Sequence, residues 1–153
     1  MLFIKGLFMS LQVLVVDDSE ADQFLCQYAL EHYDPSMTIL KAYDGKEALA
    51  VIDEKTVKPD YIFLDINMPR MNGFEFLEAY QHRPDSESTV IVMLTSSIQD
   101  DDYQRCMSYS QVKMFLSKPL SIDRLSDCFH WYCGTLVVYC QQPDAKTKFI
   151  LRR

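Results

Sequence analysis

The stretch Tyr-Ile-Phe-Leu-Asp at positions 61–65, followed directly by Ile-Asn-Met-Pro-Arg-Met-Asn-Gly at 66–73, decides how this chain folds. Four apolar residues end at one carboxylate, Asp65, as a buried parallel strand does at the edge of a sheet. Similar short apolar runs occur four more times, and stretches with helical periodicity separate them. Because strands that alternate with helices are typical of a parallel sheet covered on both faces, the sequence predicts an α/β three-layer sandwich.

Five strands and five helices can be placed along the chain. The sequence predicts strands at 11–16, 37–42, 61–65, 90–94 and 114–116. The first helix follows a cap at Asp18 or Ser19, and its apolar residues recur at helical spacing: Ala21, Phe24, Leu25 and Tyr28. The other helices are predicted from Gly45, with Ala48, Leu49 and Ile52 on one face, from Gly73 to near 82, from Asp100 to near 110, and through Ile122, Leu125, Phe129 and Tyr132.

Polar side chains follow four of the predicted strands. Asp17 and Asp18 come after the first strand, Asp65 ends the third, Thr95 follows the fourth, and Lys118 lies just beyond the fifth. Because the carboxyl ends of parallel strands meet at one edge of a sheet, we expect these side chains to converge there. Carboxylates, a hydroxyl and an ammonium together are typical of a site for a hard cation and a phosphoryl group.

Charge and cysteine content narrow the class of protein. The chain has 22 Asp and Glu against 15 Lys and Arg, a formal net charge of −7, so we expect no direct DNA binding. Its five cysteines are odd in number and form no Cys-x-x-Cys pair. This pattern indicates reduced thiols and a cytoplasmic protein.

The two ends of the chain differ from its middle, 11–133, which we interpret as one domain. Residues 1–10 are apolar but are interrupted by Lys5 and Gly6, so they are interpreted as a leader rather than an export signal. No apolar stretch is long enough for membrane insertion. In the tail, 134–153, the apolar run at 136–139 is typical of a strand. We expect it to pair with a second chain in a homodimer; a hairpin with 148–151 against the last helix and a disordered tail are the alternatives.

The motifs, taken in order, resemble those of a known family. Asp17-Asp18, Asp65 with Met68-Pro69-x-Met71-Asn72-Gly73, Thr95-Ser96 and Lys118-Pro119 have the order and separations of the receiver domain of bacterial two-component response regulators. The resemblance covers 11–133. It implies the CheY-like, flavodoxin-like fold, a doubly wound five-stranded parallel sheet in the order 2-1-3-4-5. It also implies a stand-alone single-domain response regulator.

The resemblance assigns roles to the acidic residues. Asp65 would accept a phosphoryl group from a sensor histidine kinase, a histidine phosphotransfer protein or a small phosphodonor. Mg²⁺ or Mn²⁺ would be held by Asp18, Asp65 and the backbone carbonyl of Asn67, with Asp17 on a metal-bound water. The protein would catalyse only its own phosphorylation and dephosphorylation, so it would not be an enzyme in the usual sense.

The resemblance also implies a switch. Thr95 and Lys118 would stabilise the phosphoryl group, and a cis peptide bond would join Lys118 to Pro119. Phosphorylation would draw Thr95 inward, the ring of Phe115 would follow, and the helix that begins at Asp100 would shift. The changed surface would then bind a downstream effector protein in trans.

Other functions stay open at this point. An intermediate phosphoryl carrier in a phosphorelay would use the same residues. A haloacid-dehalogenase-like phosphatase needs a second aspartate two residues after the nucleophile, where this chain has Asn67. A flavodoxin-like FMN protein needs a phosphate-binding loop after the first strand, where Asp17 and Asp18 would repel the phosphate.

Overall fold

A six-stranded sheet forms the centre of the protein in the computed structural model, which describes residues 10–54, 57–96, 99–129 and 148–149. The strands are β1 (Gln12–Val16), β2 (Thr38–Ala42), β3 (Tyr61–Asp65), β4 (Val90–Thr95), β5 (Val112–Ser117) and β6 (Lys148–Phe149). Their order is β2-β1-β3-β4-β5-β6. The first five strands are parallel, and β6 runs antiparallel to β5. The predicted five-stranded parallel order is therefore confirmed.

Five α-helices connect or follow the strands in the described residues. They are α1 (Glu20–Tyr33), α2 (Gly45–Glu54), α3 (Gly73–Tyr80), α4 (Asp100–Met107) and α5 (Ile122–Phe129), and a 3-10 helix spans Ser86–Ser88. α4 ends before the predicted boundary near 110, because the hydroxyl and the N–H of Ser108 both donate to the carbonyl of Arg105. α3 likewise ends earlier than predicted, and β5 begins two residues earlier.

Helices cover the sheet on both faces, which produces two apolar cores. Along β1, Leu14 and Val16 point to the core under α2, α3 and α4, whereas Val13 and Val15 point to the core under α1 and α5. Side chains of the strands make up about half or more of each core. The helices add aromatic and aliphatic side chains of α3 to the first core and side chains of α1 and α5 to the second. The strands β1, β3, β4 and β5 are therefore largely buried on both faces, as the continuous apolar runs predicted, whereas the edge strand β2 is partly exposed.

The helix α1 is confirmed, but the apolar residues by which it was predicted face outward. Their exposed fractions are 63% for Phe24, 44% for Leu25 and 56% for Tyr28. The buried residues of α1 are Gln23, Cys26, Ala29 and Leu30. The side-chain amide of Gln23 donates to the carbonyl oxygens of Asp17 at 2.7 Å and Ala42 at 2.8 Å. A buried hydrogen-bonded glutamine thus occupies a position that hydropathy alone assigns to the surface.

One irregularity interrupts the pairing of β4 with β5. Val112 lies opposite Ile91, but the next pair is Met114 with Val92. Lys113 is therefore an extra residue in β5, which is the arrangement of a β-bulge.

The chain ends were predicted only in part. Phe149 pairs with Met114 and Lys148 with Phe115. Residues 148–149 of the tail therefore pair with β5. The predictions for the tail had named the last helix or a second chain as its partner, and not β5. Residues 1–9 of the predicted leader 1–10, and the run 136–139, lie outside the described residues.

The structure shows the state of three cysteines and the lengths of the described helices. Cys26, Cys106 and Cys128 are free and buried, while Cys133 and Cys140 lie outside the described residues. Among the described helices, none combines the length and the apolar character needed to cross a bilayer.

We expect Gly73→Ala to be more destabilising than Gly45→Ala. A Cβ at Gly73 would lie 2.5 Å from the backbone oxygen of Asp65 and 3.0 Å from the Cα of Ile66, so the end of β3 would have to move. A Cβ at Gly45 would meet the side chain of Met71, at 2.5 and 2.8 Å, which can change rotamer. Urea unfolding should show a loss of about 1–3 kcal/mol for Gly73→Ala. Equal losses for the two variants would contradict this account.

Candidate functional site

Four of the predicted site side chains lie together at the carboxyl edge of the sheet. Asp17, Asp18 and Asp65 each offer a carboxylate oxygen, and these oxygens lie within 4.8 Å of one another. The ammonium nitrogen of Lys118 lies 2.6 Å from Oδ2 of Asp17 and 3.4 Å from Oδ2 of Asp65. Thr95 ends β4 at the same edge, where its carbonyl accepts the N–H of Lys118 at 2.9 Å.

Short backbone contacts fix these side chains. The N–H of Ile66 donates to Oδ1 of Asp65 at 2.9 Å, which holds the carboxylate in one orientation at the end of β3. The N–H of Ser19 donates to Oδ1 of Asp17 at 2.9 Å. The peptide bond between Lys118 and Pro119 is cis.

The site combines buried charges of both signs. Burial raises the pKa of Asp65 above its ordinary value; the Lys118 ammonium opposes this effect, and the charge of Asp17 adds to it. Burial also raises the pKa of Asp17, against hydrogen bonds from Lys118 and Ser19. For Lys118, burial alone would lower the pKa, but the carboxylates of Asp17 and Asp65 outweigh it, so its pKa is raised. Lys118 is therefore an ammonium at neutral pH.

The donor set fits a hard divalent cation. Mg²⁺ and Mn²⁺ prefer carboxylate and carbonyl oxygens, and Mg²⁺ retains several waters. Asp17 and Asp65 are buried, whereas Asp18 is exposed. The cluster of three carboxylates is therefore open to solvent on the side of Asp18. Asn67 lies two residues after Asp65 and is exposed. Its backbone carbonyl as a further ligand stays a prediction.

A second ion pair ties the loop after β3 to the turn after β2. The guanidinium of Arg70, which has a φ of 64°, pairs with the buried carboxylate of Asp44. Burial opposes ionisation of Asp44, but hydrogen bonds from the Glu47 N–H and from Arg70 outweigh it and lower its pKa. The N–H of Gly45 also donates to the carbonyl of Met71 at 3.0 Å. Sequence reasoning missed this link because the two loops are far apart along the chain.

Asp22 is the other charged residue that sequence reasoning missed. Its Oδ2 lies 3.1 Å from the ammonium nitrogen of Lys118. The sequence indicated only an acid in the first turn of a helix. No local pattern could have found the contact, because it joins residues 96 positions apart.

Comparison with known proteins identifies the family. Residues 13–130 match the family described as the response regulator receiver domain. The chain belongs to this family. The recognition made from its motifs is therefore confirmed, and the match favours a receiver domain over the phosphatase and flavodoxin alternatives.

Receiver-domain relatives include both short and long proteins. The chain is 33% identical to response regulator Rcp1 of Synechocystis sp. over 119 residues, which cover 74% of this chain and 80% of Rcp1. It is 31% identical over 119 residues to a probable cyclic di-GMP phosphodiesterase of Vibrio cholerae, and spans only 25% of that protein. The solved structure of chemotaxis response regulator CheY4 of Vibrio cholerae superposes with a TM-score of 0.68 at 30% identity, covering 80% of this chain and 98% of CheY4. Receiver domains are in general signalling modules.

We expect Asp65→Asn to raise the free energy of unfolding at pH 7 when divalent cations are absent. The pKa of Asp65 is raised in the folded state, so the folded protein binds a proton at this carboxyl more tightly than the unfolded chain. Protonation of Asp65 therefore stabilises the folded state. This stabilisation is fully present below the ordinary pKa of 3.8 and is lost as the pH rises through the higher pKa that Asp65 has in the folded protein. The gain from asparagine should therefore shrink as the pH falls.

Urea unfolding at several pH values measures this effect. The exposed Asp123 provides a control, since Asp123→Asn removes the same charge from a residue outside the carboxylate cluster. Mg²⁺ should stabilise the wild type more than Asp65→Asn, because binding to the folded state adds to its stability. A lower stability of Asp65→Asn at pH 7 without metal would contradict the account.

Proposed function

We propose that this receiver domain accepts a phosphoryl group on Asp65 from a phosphohistidine and signals through a change of its surface. The observation that carries the proposal is the placement of the Asp65 carboxylate, with the Lys118 ammonium at 3.4 Å and two further carboxylates beside it. A carboxylate oxygen of Asp65 attacks the phosphorus, a P–O bond forms, and the bond to the donor nitrogen breaks. The donor imidazole leaves with the electron pair.

The charges around Asp65 support this transfer. The transferring group spreads negative charge over three oxygens, and the Lys118 ammonium, whose side chain is only 10% exposed, compensates part of it. A divalent cation at Asp17, Asp18 and Asp65 would supply the remaining positive charge. Asp17, held by the N–H of Ser19, contacts the Lys118 ammonium at 2.6 Å.

The pathway around the protein is part of the proposal. A sensor histidine kinase or a histidine phosphotransfer protein would supply the phosphoryl group in the cytoplasm, where the three described free cysteines would stay reduced. The signal would pass to an effector protein in trans. Onward transfer in a phosphorelay is the alternative that uses the same residues. A homodimer through the tail stays a prediction, since the run 136–139 lies outside the described residues.

The switch would run from Thr95 through β5 to α4. Thr95 and Phe115 are buried, and Phe115 contacts Tyr103 of α4 edge to face with 5.7 Å between ring centroids. Since Phe115 is already inside the protein, its response need not be a swing from outside; a shift of its contact with Tyr103 is sufficient. α4 buries only Cys106 fully, so it has few anchors that resist movement.

We expect Mg²⁺ and acetyl phosphate to add one phosphoryl group that hydroxylamine removes. Intact-mass measurement should show this group in the wild type and in Asp123→Asn, and not in Asp65→Asn, which lacks the nucleophile. Asp18→Asn should need far more Mg²⁺, because a ligand charge is lost. A phosphoryl group on a serine or histidine would contradict the assignment.

We expect Thr95→Ala to accept the phosphoryl group while losing the response of α4. The nucleophile and the carboxylates remain in this variant, but the hydroxyl that would follow the phosphoryl oxygen is absent. Hydrogen exchange in α4, compared with and without beryllofluoride as a phosphoryl mimic, measures the response. Ser88→Ala, a hydroxyl deletion at the opposite edge of the sheet, is the control. A normal α4 response in Thr95→Ala would exclude Thr95 as the link.

A further inference from the structure

Three carboxylates surround the ammonium of Lys118, and one of them has no role in the proposed reaction. The distances from the ammonium nitrogen are 2.6 Å to Asp17, 3.1 Å to Asp22 and 3.4 Å to Asp65. Asp17 and Asp65 belong to the cluster that can hold a cation, whereas Asp22 is not part of that cluster. Asp22 lies on α1, and its N–H donates to Oγ of Ser19 at 3.3 Å. Its carboxylate thus approaches Lys118 from the helix side of the site.

Binding of a cation weakens the attraction between two of these carboxylates and Lys118. A cation shared by Asp17 and Asp65 takes up much of their negative charge, and their attraction for Lys118 falls. The side chain of Lys118 is only 10% exposed, so water cannot replace the lost partners fully. Asp22, whose side chain is 34% exposed, is then the carboxylate that still faces the ammonium.

The three contacts also determine where the ammonium lies. An ammonium has three N–H donors on a flexible four-carbon stem. With Asp17 as its only close partner, Lys118 would lie on the cation side of the site and would compete with the cation for that carboxylate. A second partner on α1 holds it between the two and leaves one N–H for the group on Asp65.

We propose that Asp22 is a positioning residue that anchors the Lys118 ammonium beside Asp65 for the incoming phosphoryl group. The inference deepens the proposed phosphoryl transfer and rests on it. Asp22 acts through Lys118 and does not itself touch the phosphoryl group.

A purely structural role for Asp22 makes a different prediction. An acid in the first turn of a helix stabilises that helix by its charge near the N-terminus. Glu20 is in the same turn, is exposed and makes no ion pair within the described residues. Glu20→Gln therefore removes the same charge from the same turn of α1 without changing the contacts of Lys118.

The test compares Asp22→Asn, Asp22→Glu and Glu20→Gln in the full chain. In the first measurement, at saturating Mg²⁺ and without a phosphodonor, nitrogen-15 NMR detects the lysine ammonium groups, and Lys118→Arg assigns the signal. Protected ammonium protons of Lys118 should be visible in the wild type and in Glu20→Gln and lost in Asp22→Asn. In the second, phosphorylation is followed against acetyl phosphate concentration at saturating Mg²⁺. The saturated rate should fall roughly tenfold or more in Asp22→Asn, recover in part in Asp22→Glu and stay unchanged in Glu20→Gln.

The outcomes separate this inference from the proposed function. A wild type that takes no phosphoryl group on Asp65 overturns the proposed function. A wild type that is phosphorylated at the same rate as Asp22→Asn overturns only the anchor, as does an unchanged Lys118 signal. Equal rate losses in Asp22→Asn and Glu20→Gln would assign the effect to the charge near the helix end and would also overturn the anchor.

Discussion

Repulsion among carboxylates gathered at one edge of the sheet is the interaction on which the site depends. The parallel strands bring Asp17, Asp18 and Asp65 together because their carboxyl ends share that edge. Burial makes the repulsion stronger, and the ammonium of Lys118 compensates it only in part. A fold that creates such an imbalance has affinity for positive charge at that place.

The scaffold contributes rigidity where the carboxylates need it. The loop after β3 returns to its own strand, where the N–H of Gly73 donates to the carbonyl of Ile66 at 2.9 Å. The ion pair of Arg70 with Asp44 ties the same loop to the turn after β2. Two neighbouring loops therefore form one unit around the acceptor, whereas α4, on the other side of Thr95, has few buried side chains. Tightly linked loops on one side of the site thus contrast with a sparsely buried helix on the other.

Local patterns predicted the strands and the four charged residues of the motifs, because buried parallel strands have a clear signal and their ends must meet, and the family resemblance supplied the strand order. The same patterns failed where the contact depends on three dimensions. The face of α1 was misread because Gln23 is buried through hydrogen bonds, which hydropathy does not detect. The contact of Asp22 with Lys118 joins residues 96 positions apart, and no local pattern encodes it. The position of 148–149 beside β5 could not be foreseen from a sheet that was complete without it.

The bulge in β5 accommodates one extra residue without changing the core into which the end of that strand packs. Val112 and Phe115 belong to one core, and Met114 and Leu116 to the other. Side chains of a regular strand alternate between faces, so residues three apart can share a face only if one position between them is out of phase. Lys113 is that position, and without it Val112, Met114 and Phe115 would alternate as in a regular strand and keep the faces they have now. The bulge therefore lets β5 carry one residue more than the facing part of β4, while the two side chains of each cross-strand pair stay in the same core.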